Sequence, residues 1–316
     1  MLGMNKSIEQ KAPLLVCGAH RTGTSWVGKM LAAGGEAAYI SEPFNVWHRR
    51  GVFRVPVMHW YLYICPENEA AYLAGMCETL NFRYHPWLEL ASIHSLKDLL
   101  RMGRDWANFL RGRFGKLRPL IKDPFAVFSL PWFIERFGCQ VVVTIRHPAG
   151  FVSSLKRLGW DFDLSNLLDQ PLLMRDWLEP YREEIQAVLR NPGDVIAQAS
   201  LLWRMIYQVV GDYQRQYPGI SMVRHEDLSL APLEGFRDLY ARLDLDYNSR
   251  AIKAIEGSSG VENPVELSPD RVHGVKLNSQ SNLANWKRRL STSEVERIYK
   301  LTQDVAVNYY SDDEWN

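Results

Sequence analysis

Long apolar runs, paired cysteines and an excess of charge of one sign are all missing from this 316-residue chain. The first apolar run, Leu14-Leu15-Val16-Cys17, is far too short for a signal-peptide core, and nothing approaches the ~18 uninterrupted apolar residues of a membrane span. The expected address is therefore cytoplasmic. Cys17, Cys65, Cys77 and Cys139 are scattered without C-x-x-C spacing, which argues against a zinc ribbon, a redox dithiol or a disulfide framework, so they read as buried thiols. Lys and Arg (37) nearly cancel Asp and Glu (36), so no global field draws the chain to nucleic acid or anionic lipid, and any anion site must be local. Repeats and low-complexity tracts are absent too. What is present is an ordinary globular balance, 47% hydrophobic and 23% charged, with 11 Trp, 14 Tyr and 12 Phe. Much of that aromatic surface must be core, but a surplus can line a ligand cleft.

The segment Pro13 to Gly35 reads as strand, loop and helix: an apolar run ending at Gly18, a loop through Gly23, then Thr24 to Ala33 with Trp26, Val27, Met30 and Leu31 at helical spacing. The unit recurs. Leu120-Ile121 runs into Lys122-Asp123-Pro124 and a helix through Arg136; Val141 to Ile145 ends at Arg146-His147-Pro148 before a helix over Ala149 to Leu158. A long helix over Val195 to Tyr217 leads into a strand over Ile220 to Arg224, and Pro232 to Leu243 is again helical. Alternation of this kind predicts an α/β fold of P-loop type, a three-layer sandwich with a central parallel sheet, built as a single domain over 1–316. Helical insertions over about 46–118 and 159–192 are expected to lie over the carboxyl ends of the strands. Gly257 to Ala284 is rich in Ser, Asn, Gly and Pro and reads as a mobile loop, and Ser291 with Glu294 has capping-box spacing at the start of a terminal helix.

Gly18-x-x-x-x-Gly23-Thr24-Ser25 has the glycines and hydroxyl of a Walker A loop, but Thr24 stands where the lysine belongs and the cation comes earlier, as Arg21. Such a loop still offers converging backbone N–H groups and a helix N-terminus to an anion. The anion it suits is something other than a magnesium triphosphate. At the end of the Val141–Ile145 strand stands Arg146, with Ser154 eight residues later in the next helix: a forked, permanently charged donor and a hydroxyl, suited to a terminal phosphate.

Arg21-Thr22-Gly23-Thr24-Ser25-Trp26 resembles the 5′-phosphosulfate loop of sulfotransferases that use 3′-phosphoadenosine 5′-phosphosulfate (PAPS), and Arg146 with Ser154 resembles the same family's 3′-phosphate pair. The resemblance implies PAPS as donor, PAP as product, no metal, and Arg21, Thr22, Gly23, Thr24, Ser25, Trp26, Arg146 and Ser154 around the nucleotide. Trp26 falls where some members carry an aromatic on adenine, and it reads equally as core. Trp286-Lys287-Arg288-Arg289 is similar to the late basic segment that closes over the 3′-phosphate; Lys287 and Arg288 are the candidates, Arg288 preferred. Arg224-His225-Glu226-Asp227-Leu228 resembles a stretch that supports the nucleotide site.

In-line sulfuryl transfer needs a base for the acceptor oxygen and positive charge at the sulfonate. Glu42, before Pro43 at the end of a short apolar run, resembles the base of the tyrosylprotein branch, and Lys122 in Lys122-Asp123-Pro124-Phe125 resembles that branch's sulfonate lysine. The histidine base of the cytosolic branch has no counterpart after Lys122, although His20 beside the loop is a conceivable substitute. The acceptor expected is a hydroxyl-bearing glycan or small molecule. Two other readings stay open: a P-loop kinase for a nucleotide or small molecule, and an inactive protein that keeps PAP as a ligand.

Overall fold

Alternate residues of a fully buried strand face opposite layers, and the first strand shows the consequence: Leu15 and Cys17 enter one hydrophobic cluster while Leu14 and Val16 enter another. The structure, a computed structural model, describes residues 11–266 and 274–315. Five strands, β1 (Leu14–Gly18), β2 (Ala37–Ser41), β3 (Arg118–Lys122), β4 (Gln140–Ile145) and β5 (Ser221–Arg224), form one sheet in the order β2-β3-β1-β4-β5. Every pairing is parallel, with Val16 opposite both Lys122 and Val142. All carboxyl ends therefore open on one edge, and the loop after the central β1 lies between the ends of β3 and β4.

Helices cover both faces, so the fold is the three-layer α/β sandwich of P-loop type. They are α1 (Thr24–Ala33), α2 (Leu73–Leu80), α3 (Leu96–Phe114), α4 (Leu130–Phe137), α5 (Pro148–Leu158), α6 (Arg182–Leu189), α7 (Val195–Gln216), α8 (Pro232–Arg242), α9 (Ser249–Ser259), α10 (Asn285–Arg289) and α11 (Thr292–Ala306), with shorter turns between. One face packs α1, α8 and α9 through Trp26, Val27, Phe236, Tyr240 and Ile255. The other carries α4, α5, α7 and α11, together with most of the inserted aromatics. Ser291 and Glu294 make the full capping box at the start of α11, as their spacing predicts.

The insertions differ from the expectation in detail. Within 46–118 the first part is mostly irregular chain, and the helical pieces are a 3-10 turn over Glu69–Ala71, α2, Pro86–Leu90 and α3; Phe53 and Tyr61 from it are buried in the large cluster, and Asn108 of α3 donates to the Tyr39 carbonyl of edge strand β2 at 2.7 Å. Gly257 to Ala284 is less loop than its composition suggests, because α9 runs on to Ser259 and Ser279–Leu283 is helical with Asn278 as its N-cap. Residues 267–273 of that stretch, like 1–10 of the polar amino terminus, lie outside the described residues. Cys17, Cys65 and Cys139 are buried thiols, but Cys77 is exposed on the outer side of α2. Among the described residues no helix is long and apolar enough to cross a membrane.

Candidate active site

Two glycines explain the shape of the loop after β1. Gly18 has φ +132°, and a Cβ there would lie 2.2 Å from the Thr144 carbonyl oxygen; Gly23, the N-cap of α1, has φ +98° and lets His225 approach, its Nδ1 2.9 Å from where a Cβ would be. Between them Arg21 also sits in the left-handed region, at φ +69°. Thr22 is wholly buried: its hydroxyl donates to the Ala19 carbonyl at 2.6 Å and lies 2.8 Å from the Thr144 hydroxyl, so this side chain ties the loop to β4 and turns away from the cleft.

The cleft beside the loop encloses about 960 Å³ including its open mouth, and Arg21, Gly23, Thr24, Ser25, Trp26, Arg146 and Ser154 all line it. The loop and the Arg146–Ser154 pair touch directly. Arg21 Nε donates to Ser154 Oγ at 3.4 Å, and Arg146 Nη1 to the Arg21 carbonyl at 3.5 Å. Trp26 is both things the sequence allowed, a buried member of the core that also lines the cleft, its indole N–H held by Ser258 at 2.8 Å.

Two arginines join them that the sequence reading passed over. Arg157 points into the cleft while its neighbour Lys156 turns outward to Glu294 at 2.6 Å. The signal was there: Arg157 is three residues after Ser154 and so on the same helix face. From the late basic segment it is Arg289 that lines the cleft; Lys287 lies over the Trp286 ring and Arg288 donates to Asn285. Crowding shows in the acidities. Burial, then Arg146 and Arg157, pull Arg21 down to about 10, and burial, then Arg157 and Arg146, do the same to Arg289. His225 falls to about 3 through burial reinforced by Arg146 and Arg21. Among the described residues that line the cleft, the carboxylate that answers this charge is Glu266, which pairs with Arg157 at 2.6 Å and also with Arg289.

Behind the cleft, Glu226 accepts from the His147 N–H at 2.9 Å and from the Tyr310 hydroxyl at 3.0 Å, clamping the turn that carries Arg146. His147 itself lies between Trp286 (ring centroids 5.5 Å apart, nearly parallel), Tyr310 and Trp315.

On the β3 side of the loop stands the second constellation. Lys122, at the end of β3 and 2% exposed, pairs with Glu42, which follows β2 at φ +49°; the Glu42 N–H donates to the Lys122 carbonyl at 2.8 Å, and Asn45 Nδ2 donates to Glu42 Oε2 at 2.7 Å. Burial works against the Lys122 charge, but Tyr39 and Glu42 outweigh it and raise its pKa. Asp123 is fully buried and takes the N–H groups of Phe44 and Phe125, fixing both chain entries; burial, with Glu42, lifts it to about 7. Aromatic walls stand close by. The Asn45 carboxamide also caps the N–H of exposed Trp47, whose ring meets Trp60 at 5.2 Å, and Trp60 lies 4.4 Å from Phe125. His20, by contrast, is packed among Tyr61, Phe125, Phe151 and Phe162 with Nδ1 2.5 Å from the Tyr61 hydroxyl, and burial lowers it to about 4, which makes it a structural residue.

No family model matches the chain, and no curated protein matches it. Among solved structures it is similar to the sulfotransferase domain of the Synechococcus PCC 7002 olefin synthase (14% identity over 98% of this chain and 99% of that one, TM-score 0.46) and to sulfotransferase STF1 of Mycobacterium tuberculosis H37Rv (16% over 93% and 77%, TM-score 0.41). It is also similar to mouse sulfotransferase SULT7A1 complexed with PAP (9% over 96% and 87%, TM-score 0.43).

Proposed function

We propose that the protein is a PAPS-dependent sulfotransferase that transfers a sulfuryl group to a hydroxyl of a glycan or small-molecule acceptor. The observation that carries this is the convergence of Arg21 from the loop after β1, Arg146 and Arg157 from the β4–α5 unit, and Arg289 from α10 on one cleft beside a glycine loop. Four guanidinium groups so placed repel one another and call for a ligand with more than one negative group. A 3′,5′-bisphosphorylated nucleoside fits: Thr24, Ser25 and the α1 N-terminus would take the 5′ group, and Arg146, Ser154, Arg157 and Arg289 the 3′-phosphate where Glu266 now lies. Trp26 and His225 would flank the base.

PAPS would supply the sulfuryl group and its phosphate leaving group. Glu42 would accept the acceptor's hydroxyl proton, held ready by Asn45 and Lys122. Lys122 would then put its buried positive charge on the sulfonate side as negative charge develops there. The Trp47, Trp60 and Phe125 rings provide a wall on which an acceptor ring can lie.

PAP should raise the melting temperature, and Arg146→Ala should remove that shift, since losing a charge-assisted contact costs about 1.5–3 kcal/mol. Glu42→Gln should keep the PAP shift and lose about 10²–10⁴ in transfer rate. A shift with magnesium ATP and none with PAP would instead support the kinase reading, and PAP binding without transfer to any hydroxyl acceptor would support the inactive one.

A further inference from the structure

Helix α3 carries two faces where a surface helix has one. Met102, Phe109 and Gly112 are buried, and Asp98, Asp105 and Asn108 complete that inner stripe: Asp105 pairs with Arg49 at 3.2 Å and Asn108 holds β2. The opposite side is also apolar. Leu96, Leu99, Leu100, Trp106, Leu110 and Phe114 recur at three- and four-residue spacing and are exposed, Leu96 by 74% and Phe114 by 78%. Trp87, on the short turn Pro86–Leu90 that packs beside α3 through Arg49 and Glu89, adds a ring exposed by 80%. No acidic residue belongs to this stripe. Along one flank run Lys97, Arg101, Arg104 and Arg111, all exposed, and Arg113 borders the other; Arg101 pairs with Asp98 at 3.7 Å and Arg104 with Asp105 at 3.1 Å, so Lys97, Arg111 and Arg113 carry the net positive charge of the helix.

A contiguous apolar stripe of this size on a water-facing helix marks an interaction surface. Its charge selects the partner. In an antiparallel pair of α3 with its copy the basic flank of one helix would lie beside the same flank of the other, and in a parallel pair beside the flank that carries Arg113, so in both cases cations meet cations and a second copy is disfavoured. The large side chains project from a convex helix, which suits a soft interface that can close around them, and the basic border suits anionic head groups. We propose that α3 docks the protein on an anionic membrane surface, with the helix lying in the head-group plane and the leucine, tryptophan and phenylalanine side chains inserted. The chain's near-zero net charge hides this, because the five Lys and Arg of α3, set against two Asp, are offset by a slight acidic excess in the rest of the chain.

The test is co-sedimentation of the full chain with phosphatidylcholine vesicles with and without phosphatidylglycerol, a readout that does not depend on which group the active site transfers. The protein should sediment with the phosphatidylglycerol vesicles and stay in solution with phosphatidylcholine alone. Lys97→Gln and Arg111→Gln should each lower partitioning about fivefold. Leu100→Ser combined with Phe114→Ser should abolish it without changing the melting temperature, since both side chains are exposed. The proposal is overturned if the wild type stays in the supernatant with anionic vesicles, if the serine variant binds as well as the wild type, or if sedimentation velocity shows a dimer that those serines dissociate.

Discussion

At the scale of single residues, the cleft sets four arginines against the Glu266 carboxylate among the described residues that line it. Arg157 and Arg289 would repel each other across the cleft, and Glu266 lies between them as an anion already in place. A phosphate entering there must displace Glu266, so the residue competes with the ligand proposed for the site. Glu266→Gln should accordingly tighten PAP binding about two- to fivefold, the value of surface-exposed ion pairs, as read by titration calorimetry. Weaker binding by this variant would mean that Glu266 aligns the arginines instead of competing with the ligand. Arg21 and Glu42 share another feature: both are non-glycine residues in the left-handed region, each at the end of a parallel strand. Such backbone is held by its surroundings, here by the Lys122 carbonyl for Glu42 and by contact with Arg146 for Arg21.

Among the elements, the turn between β4 and α5 depends most on burial of a neutral ring. His147 is enclosed by Trp286, Tyr310 and Trp315, and neither ring nitrogen has a hydrogen-bond partner among the described residues. Burial pushes its pKa from 6.5 to about 3; Glu314 opposes this, while Arg224, Arg146 and Lys287 add to it. The unfolded chain therefore takes up a proton before the folded one does. Stability is at its full value above about pH 6.5 and is lost as the pH falls toward 3. His147→Phe keeps the ring stacking and removes the proton site, so the melting temperature of this variant should fall less between pH 7 and pH 4 than that of the wild type. Part of the slope will remain, because His20 and His225 are lowered in the same way. Equal slopes in the two proteins would show that the ring takes up its proton as readily in the fold as in the unfolded chain.

The elements also divide what could be read from the sequence from what could not. β1, its loop and α1 were legible because their determinants, a short apolar run, two glycines and a helical stripe, are local. Arg146 and Ser154 were legible for the same reason: strand end and helix face fix where both point. The late basic segment was not, since choosing among Lys287, Arg288 and Arg289 needs the helical phase of a five-residue helix, which packing of Trp286 against His147 sets. Composition misled where capping intervened, as in Asn278 starting a helix inside a Ser/Asn-rich stretch. The exposed stripe of α3 was illegible, because an apolar pattern alone cannot say which of two apolar faces the rest of the chain covers.

For the molecule as a whole, the strand order does the positioning. β1 is central, so its loop has the Arg146 end of β4 on one side and the Lys122 end of β3, with Glu42 beyond it, on the other. A nucleotide lying along the first side would bring its 5′ end to the loop, next to the proposed base on the second. The account therefore stands or falls on the cleft recognising both ends of one nucleotide. The direct measurement is titration calorimetry of PAP and of adenosine 5′-phosphate, which lacks the 3′-phosphate, against the wild type and Arg146→Ala. The account predicts that the wild type prefers PAP by at least about tenfold and that Arg146→Ala erases most of this preference while leaving adenosine 5′-phosphate binding nearly unchanged. Equal affinity of the wild type for the two nucleotides, or a variant that weakens both alike, would contradict it.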